Sequence, residues 1–150
     1  MAAIIVPYPE TGERIIIKKE DYELILKHCT EGMPEESCGL IAGRREGSDN
    51  IIEKVYLLTN EDHSNEHFTM NPREQLAAVK DARAGNLKML GNFHSHPESP
   101  SRPSGEDKKL AYDPGAIYMI LSLMEPGEPV LRGFRIDRDR NVTVHELEIV

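Results

Sequence analysis

A short segment around residue 94 constrains the fold more than any other part of this sequence. Residues 87–93 are typical of a β-strand, and His94 and His96 follow directly. Three prolines then exclude regular structure from residues 97–103. Ser104 is placed to be the N-cap of a helix that begins next. The fold must therefore accommodate a strand, an irregular connection and a helix start in immediate succession.

Two histidines and one aspartate of this segment form a candidate metal site. Residues two apart in a strand project from the same face, so His94 and His96 can direct their imidazoles to one point. Asp107, on the first turn of the predicted helix, can return a carboxylate to them. This ligand set suits zinc, and three protein ligands leave a fourth tetrahedral position open, as in catalytic zinc sites.

A second interpretation competes for the same aspartate. The pattern Ser104-x-x-Asp107 is also that of a capping box, in which the Asp107 carboxylate binds the backbone at the helix start. A His-x-His pair alone is weak evidence for a metal site. From the residues alone, Asp107 is therefore either a metal ligand or a capping group, whereas Ser104 is compatible with both interpretations.

The complete spacing resembles the JAMM motif of the MPN+ metallopeptidases, also called the Mov34/MPN/PAD-1 family. That motif is matched by His94-x-His96, seven further residues, Ser104, two residues and Asp107. The family also carries a glutamate just before a small apolar strand, and Glu36, followed by Ser-Cys-Gly-Leu, is similar to that element. The resemblance extends over residues 21–134. It implies an α/β protein with the MPN (JAMM) fold, a curved mixed β-sheet flanked by helices with a cytidine-deaminase-like architecture.

The resemblance also implies roles for these residues in the metal-assisted hydrolysis of an amide. The two histidines and the aspartate would hold Zn²⁺. Glu36 would be the general base that takes a proton from water, and Ser104 would steady the tetrahedral oxyanion. The alternatives are that Glu36 is a solvated loop carboxylate, as expected for Glu35, and that Ser104 only caps a helix.

The substrate class is also implied by the family. Eukaryotic members remove ubiquitin or its relatives from lysine side chains, and small prokaryotic members act on ubiquitin-like proteins, including sulfur carriers. This compact chain resembles the stand-alone prokaryotic type. The expected reaction is cleavage of the amide or isopeptide bond after the C-terminal glycine of a small ubiquitin-like or sulfur-carrier protein. A peptidase for cell-wall or phage-tail peptides and a non-catalytic binding scaffold are the alternatives.

Composition and charge exclude other classes of partner. A net charge of −8 and a pI near 5.2 are opposite to what nucleic acids and anionic membranes attract. The length suits one domain over residues 1–150. The apolar start, residues 1–6, is too short for a signal peptide, and no later segment approaches a membrane span. With Cys29 and Cys38 forming no disulfide framework, we expect a soluble, cytoplasmic protein.

The remaining pattern predicts strand, helix, strand pair, helix, strand, helix and three strands. Strands are predicted at residues 14–17, 38–43, 51–58, 87–93, 117–123, 130–136 and 142–150. Helices are predicted at residues 21–29, from Asn71 to Gly85, and from Ser104 to about Tyr112.

Within the second helix, Asn71 is predicted to be the N-cap, with Glu74 reaching back to it. Four apolar residues are expected to form its buried face: Leu76, Ala77, Val79 and Ala82. Four histidines are expected to bind no metal: His28 as a solvated helix residue, His63 and His67 in a loop, and His145 in the last strand.

Overall fold

The protein, described here from a computed structural model, is built on one mixed β-sheet of seven strands. The structure describes residues 8–150, so the apolar start at residues 1–6 lies outside the described residues. The strands are β1 (Glu10–Ile17), β2 (Cys38–Glu46), β3 (Asp49–Leu58), β4 (Lys88–His96), β5 (Ile117–Ser122), β6 (Val130–Ile136) and β7 (Val142–Ile149). The helices are α1 (Lys19–Gly32), α2 (Pro72–Ala84) and α3 (Gly105–Lys109). This is the predicted order of elements.

The sheet closes into a barrel, with the strand order β1-β3-β2-β4-β5-β6-β7. Strand β1 makes the closure because it pairs in parallel with β3 on one side and with β7 on the other. β4 and β5 are also parallel, and the other neighbours are antiparallel. The predicted mixed α/β architecture is confirmed, but the curved sheet expected from the family resemblance is closed on itself.

Buried apolar side chains from the six strands β1 to β6 and from α1 fill one main core. Helix α1 packs against β3, and its Ile25 and Cys29 are fully buried, as its helical periodicity predicts. Helix α2 packs against β2, β3 and β4. Strand β4, which carries the two candidate histidines, and strand β2, which begins two residues after Glu36, are therefore held between the core and α2.

Helix α2 contacts the sheet through a face that overlaps only in part with the one predicted. Ala82 is buried as predicted and Val79 is half-buried, whereas Leu76 is 55% exposed and Ala77 is also exposed. The prediction was therefore wrong for Leu76 and Ala77, and it omitted Ala78, which is buried. Small side chains at the contact allow the helix backbone to approach the strands closely, which the hydrophobicity of single residues does not reveal.

The start of α2 is capped as predicted, but its glutamate has another partner. The Asn71 side chain accepts hydrogen bonds from the backbone N–H groups of Arg73 and Glu74. The Glu74 carboxylate does not reach back to the cap. It accepts from the backbone N–H and the hydroxyl of Thr59, at 2.7 and 2.9 Å, and so fastens the end of β3 to the helix.

Two further local predictions are corrected by tertiary contacts. His28 is not a solvated helix residue, because its Nε2 atom lies 3.1 Å from the carbonyl oxygen of Cys38 and 3.0 Å from that of Leu58. Helix α3 ends at Lys109 rather than near Tyr112. No helix described within residues 8–150 combines the length and the apolar character needed to span a membrane.

Candidate metal centre

Strand β4 delivers the two motif histidines to the same side of the barrel. His94, Ser95 and His96 are all buried at its C-terminal end, between β2 and β5. Ser95 points the other way, as strand alternation predicts, and its hydroxyl accepts a hydrogen bond of 2.8 Å from the backbone N–H of Ser37. The histidines thus have fixed positions because their strand is paired on both edges.

The proline-containing connection between β4 and α3 is tied to its surroundings by side chains. The hydroxyl of Ser101 donates to the carbonyl of Ile120 at 2.7 Å, and that of Ser122 donates to the carbonyl of Ser99 at 2.6 Å. These bonds substitute for regular structure in a segment whose prolines exclude it. They fix where the first turn of α3 begins.

His94, His96 and Asp107, here called the ligand cluster, are brought together by these elements. The Nε2 atoms of the two histidines lie 3.1 Å apart, and Asp107 Oδ2 lies 3.3 Å from the first and 3.1 Å from the second. Ligands held about 2.0–2.1 Å from a tetrahedral zinc ion lie about 3.3–3.4 Å from one another. Within residues 8–150, this is the one group of three His, Cys, Asp or Glu ligand atoms close enough to share an ion.

The protonation of His96 also fits a metal ligand. Its Nδ1 atom lies 2.8 Å from the Pro100 carbonyl, which can only accept, so Nδ1 carries the hydrogen. In the neutral ring, Nε2 then carries a lone pair that is directed at the other two ligand atoms. Burial lowers the pKa of His96, but the Asp107 carboxylate and the Pro100 carbonyl outweigh it and raise the pKa. The groups around Nε2 of His96 therefore favour a positive charge at this position.

Asp107 completes the capping box and also faces both histidines, so the two interpretations that the sequence left in competition are compatible. Its backbone N–H donates to Ser104 Oγ at 3.0 Å, and the Ser104 N–H donates to Asp107 Oδ2 at 2.9 Å, which completes a capping box. The same Oδ2 atom faces both histidines. Burial acts to raise the pKa of Asp107, but the hydrogen bonds to His94 and His96 hold it well below its usual range.

Glu36 is buried beside the ligand cluster and is only 5% exposed. Its Oε1 atom has no hydrogen-bond partner among the described residues. Burial raises the pKa of Glu36 to about 8, assisted by the negative charges of Asp107 and Glu106 and opposed by His96. Glu35 differs sharply, since its side chain is 42% exposed. The interpretation of Glu36 as a solvated loop carboxylate is therefore wrong.

Sequence analysis missed two residues that shape the site, Asn60 and Phe68. The Asn60 amide donates to the backbone carbonyl of Glu36 at 3.0 Å, and its oxygen accepts from the N–H groups of Asp62 and Thr69. Phe68 stacks on the His94 ring with the centroids 4.8 Å apart. An Asn two residues before an Asp is a turn signal that could have identified Asn60. Nothing in the local sequence indicates the contact made by Phe68.

The other histidines lie outside the ligand cluster. His63 lies 3.5 Å from Glu35, and His67 lies 3.3 Å from Glu106 on the rim of the site. His145 is buried, with its Nδ1 atom 3.0 Å from the hydroxyl of Thr11.

Two cavities adjoin the ligand cluster. The apolar cavity, of 240 Å³, meets His94 and Asp107 and is lined largely by Phe68, Met70, Leu110, Tyr118, Ile120 and Ile136. The acidic cavity, of 380 Å³, meets His96 and Ser104 and is lined by Glu36, Glu66, Glu98 and Glu106. Glu66 and Glu106 line both cavities, whereas Glu36 and Glu98 line only the acidic one, so apolar side chains and not a lack of carboxylates distinguish the first cavity.

Residues 18–137 match the sequence model of a family described as prokaryotic homologs of the JAB domain. The chain belongs to this family. It is a member of the stand-alone prokaryotic JAMM type that the motif spacing predicted.

Three similar proteins illustrate the relationship. A CysO-cysteine peptidase of Mycobacterium tuberculosis is 30% identical over 136 residues, which cover 91% of each chain. A desampylase of Pyrococcus furiosus is 36% identical over 114 residues, 76% of each chain. The solution structure of a Desulfitobacterium hafniense protein superposes with a TM-score of 0.83 at 51% identity, covering 91% of this chain and 92% of that one.

Proposed function

We propose that this protein is a zinc-dependent hydrolase that cleaves the amide or isopeptide bond after the C-terminal glycine of a small ubiquitin-like or sulfur-carrier protein. The observation that carries the proposal is the buried carboxyl group of Glu36, whose Oε1 atom has no hydrogen-bond partner among the described residues, beside a cluster of two histidines and an aspartate. Such a carboxylate costs stability and is typical of a proton-transfer group. The peptidase and desampylase names of the relatives support the reaction class.

His94, His96 and Asp107 are the proposed zinc ligands. When bound, a zinc ion supplies a Lewis acid that polarises the scissile carbonyl and makes water a nucleophile near neutral pH. The protein contributes the geometry, because β4 fixes the imidazoles and the capping box fixes the carboxylate. The hydrogen bond from His96 Nδ1 to the Pro100 carbonyl orients that ring for binding through Nε2.

Glu36 is the proposed general base and, later, the general acid. It accepts a proton from the attacking water and returns it to the nitrogen of the leaving amine. A pKa near neutrality favours both transfers, and burial moves the Glu36 carboxyl in that direction. Asn60 is the proposed positioning residue for this glutamate, since it holds the Glu36 carbonyl and the loop over the site together.

Ser104 is the proposed oxyanion donor. Its oxygen accepts the capping hydrogen bond from Asp107, and its hydroxyl hydrogen is not required by that bond. The hydroxyl also lines the acidic cavity beside His96. One such donor typically contributes about 3–4 kcal/mol to the transition state, compared with about 1 kcal/mol of stability from capping.

The substrate and the setting of the reaction form part of the same proposal. Relatives that match most of this chain are named for CysO-cysteine and for desampylation, which suggests a small carrier protein with a conjugated tail. We place the enzyme in the cytoplasm, where its two buried free thiols, Cys29 and Cys38, would stay reduced. The catalytic unit is proposed to be one domain over residues 1–150.

A panel of carrier proteins tests this function. Sulfur-carrier and ubiquitin-like proteins bearing C-terminal cysteine, other amino acids or a lysine-linked peptide are incubated with the zinc-loaded protein, and intact masses are measured. Release of the adduct by the wild type and by Glu35→Gln, but not by Glu36→Gln, is expected. Zinc binding without cleavage of any adduct would contradict the proposal and favour another peptide substrate.

A further inference from the structure

The two cavities beside the ligand cluster share Glu66 and Glu106, but they differ in the apolar side chains of the first and in Glu98 of the second. Glu36 lines the acidic cavity and not the apolar one. If Glu36 returns a proton to the leaving nitrogen, that nitrogen must lie within hydrogen-bond reach of its carboxylate. This step rests on the proposed function. It places the leaving group in the acidic cavity and leaves the apolar cavity for the other side of the scissile bond.

Three further carboxylates surround that position, from Glu66, Glu98 and Glu106. Among the described residues that line the two cavities, none is lysine or arginine. Arg102, Lys108 and Lys109 are near in sequence but do not line either cavity. The His67 imidazole lines only the apolar cavity and lies 3.3 Å from Glu106, and the imidazoles of His94 and His96 belong to the ligand cluster.

A concave surface lined by one sign of charge attracts the opposite sign and repels its own. A free amino acid released from a carrier tail carries an α-carboxylate one carbon from the leaving nitrogen. In the acidic cavity this carboxylate would lie among like charges, with no cationic side chain in the lining to compensate. A lysine side chain joined through its ε-nitrogen brings no such carboxylate, and basic neighbours in its sequence would be attracted.

We propose that Glu66, Glu98 and Glu106 determine leaving-group specificity, selecting lysine-linked, preferably basic segments and rejecting leaving groups that carry an α-carboxylate. In the reaction, the bond between the glycine carbonyl carbon and the lysine nitrogen breaks. The oxygen of water joins that carbon, and one water proton passes through Glu36 to the nitrogen. The products are the carrier acid and the free lysine amine.

A pair of substrates that differ by one charge tests the charge selection directly. A ubiquitin-like carrier ending in Gly-Gly is extended by one alanine, either as the free acid or as the carboxamide, so the leaving nitrogen is the same. The carboxamide is expected to be cleaved about tenfold faster at low salt, and the difference should shrink as salt screens the cavity. Equal rates, or faster cleavage of the acid, would overturn the inference while leaving the proposed hydrolase intact.

Charge-reversal variants identify the residues responsible. Glu66→Lys/Glu98→Lys should abolish or invert the preference for the carboxamide, whereas Glu66→Gln/Glu98→Gln should only reduce it. Both residues are exposed, and Glu106 is left unchanged because it adjoins Asp107. The matched control is Glu20→Lys/Glu23→Lys on the exposed side of α1, which makes the same change in net charge and should keep the wild-type preference. If the control variant lost the preference for the carboxamide to the same extent, the preference would be due to overall charge, and the inference would be overturned.

Affinity provides a readout that does not depend on turnover. The Glu36→Gln variant should bind the carboxamide substrate about tenfold more tightly than the acid, and the charge reversals should remove this difference. Failure of the wild type to cleave either substrate would overturn the proposed function, and the inference with it. That result is distinct from cleavage of both substrates at equal rates.

Discussion

The ligand cluster and Glu36 lie side by side, but their polar atoms are satisfied in different ways. Oδ2 of Asp107 faces two imidazoles and a backbone N–H, so its negative charge is stabilised by several donors. Glu36 is held through its main chain, by Ser64 and Asn60, while its carboxylate keeps an oxygen without a partner. The first arrangement suits a group that holds a cation, and the second suits a group that must gain and lose protons.

The largest effect is expected from removing a ligand. Asp107→Ala and His96→Ala should each abolish zinc binding and reduce activity to background, because each leaves only two of the three protein ligands that a catalytic zinc site needs. Asp107→Ala should also lose about 1 kcal/mol of stability with the capping box. Metal content and cleavage rate are measured together, with the exposed Asp139→Ala as the control. Stoichiometric zinc in either variant would contradict the assigned ligand cluster.

Removing the proton-transfer group should separate catalysis from metal binding. Glu36→Gln is expected to keep stoichiometric zinc while the turnover rate falls by about 10²–10⁴, the usual contribution of general acid–base catalysis. The adjacent Glu35→Gln, whose side chain is 42% exposed, should behave as wild type. An active Glu36→Gln enzyme would transfer the base role to another group.

The two roles of Ser104 can be separated by a pair of substitutions. Ser104→Ala removes both the hydroxyl and the cap, and Ser104→Gly removes the hydroxyl but costs only a few tenths of a kcal/mol in capping. Both should lower kcat by about 10²-fold, whereas the free energy of unfolding should fall by about 1 kcal/mol only in Ser104→Ala. If Ser104→Gly retained full turnover, capping would be its sole role.

The smallest effect concerns stability and pH in the metal-free protein. The pKa of Glu36 is raised from 4.5 to about 8. Between these two pH values, the folded state therefore keeps a proton that the unfolded state has lost. The contribution of protonated Glu36 to the free energy of unfolding is complete below pH 4.5 and is lost as the pH rises to about 8. Relative to Glu36→Gln, the wild type should therefore lose up to about 4 kcal/mol over this range.

Urea unfolding of both metal-free variants near the two ends of that range measures the difference, because contributions from groups that do not interact with Glu36 cancel. Glu35→Gln is expected to follow the wild type at every pH. A difference between wild type and Glu36→Gln that stays constant with pH would show that the carboxyl titrates at its ordinary value.

Local patterns were sufficient to predict the elements and the motif residues. Strand alternation predicted that His94 and His96 share a face, and the turn and capping signals at Asn71 and Ser104 predicted two helix starts. These features depend on neighbours in the chain, which a sequence displays directly. The roles of the motif residues stay proposals, because proximity alone does not establish chemistry.

Contacts between distant residues were not predictable in the same way. Closure of the barrel depends on pairing between β1 and β7, and no short-range pattern records it. The stacking of Phe68 on His94 and the support of Glu36 by Asn60 come from a loop with little apolar periodicity. The exposure of Leu76 has the same origin, since the fit between α2 and the sheet selects small residues over large ones.

The position of β1 in the barrel has a consequence for synthesis of the chain. One edge of β1 is paired by β3, but its other edge stays open until residues 142–149 have left the ribosome. An open strand edge can pair with another nascent chain, and pairing over such a separation is slow because loop closure must come first. The acidic Glu10 and Glu13 on this strand would discourage such association among chains of the same sequence.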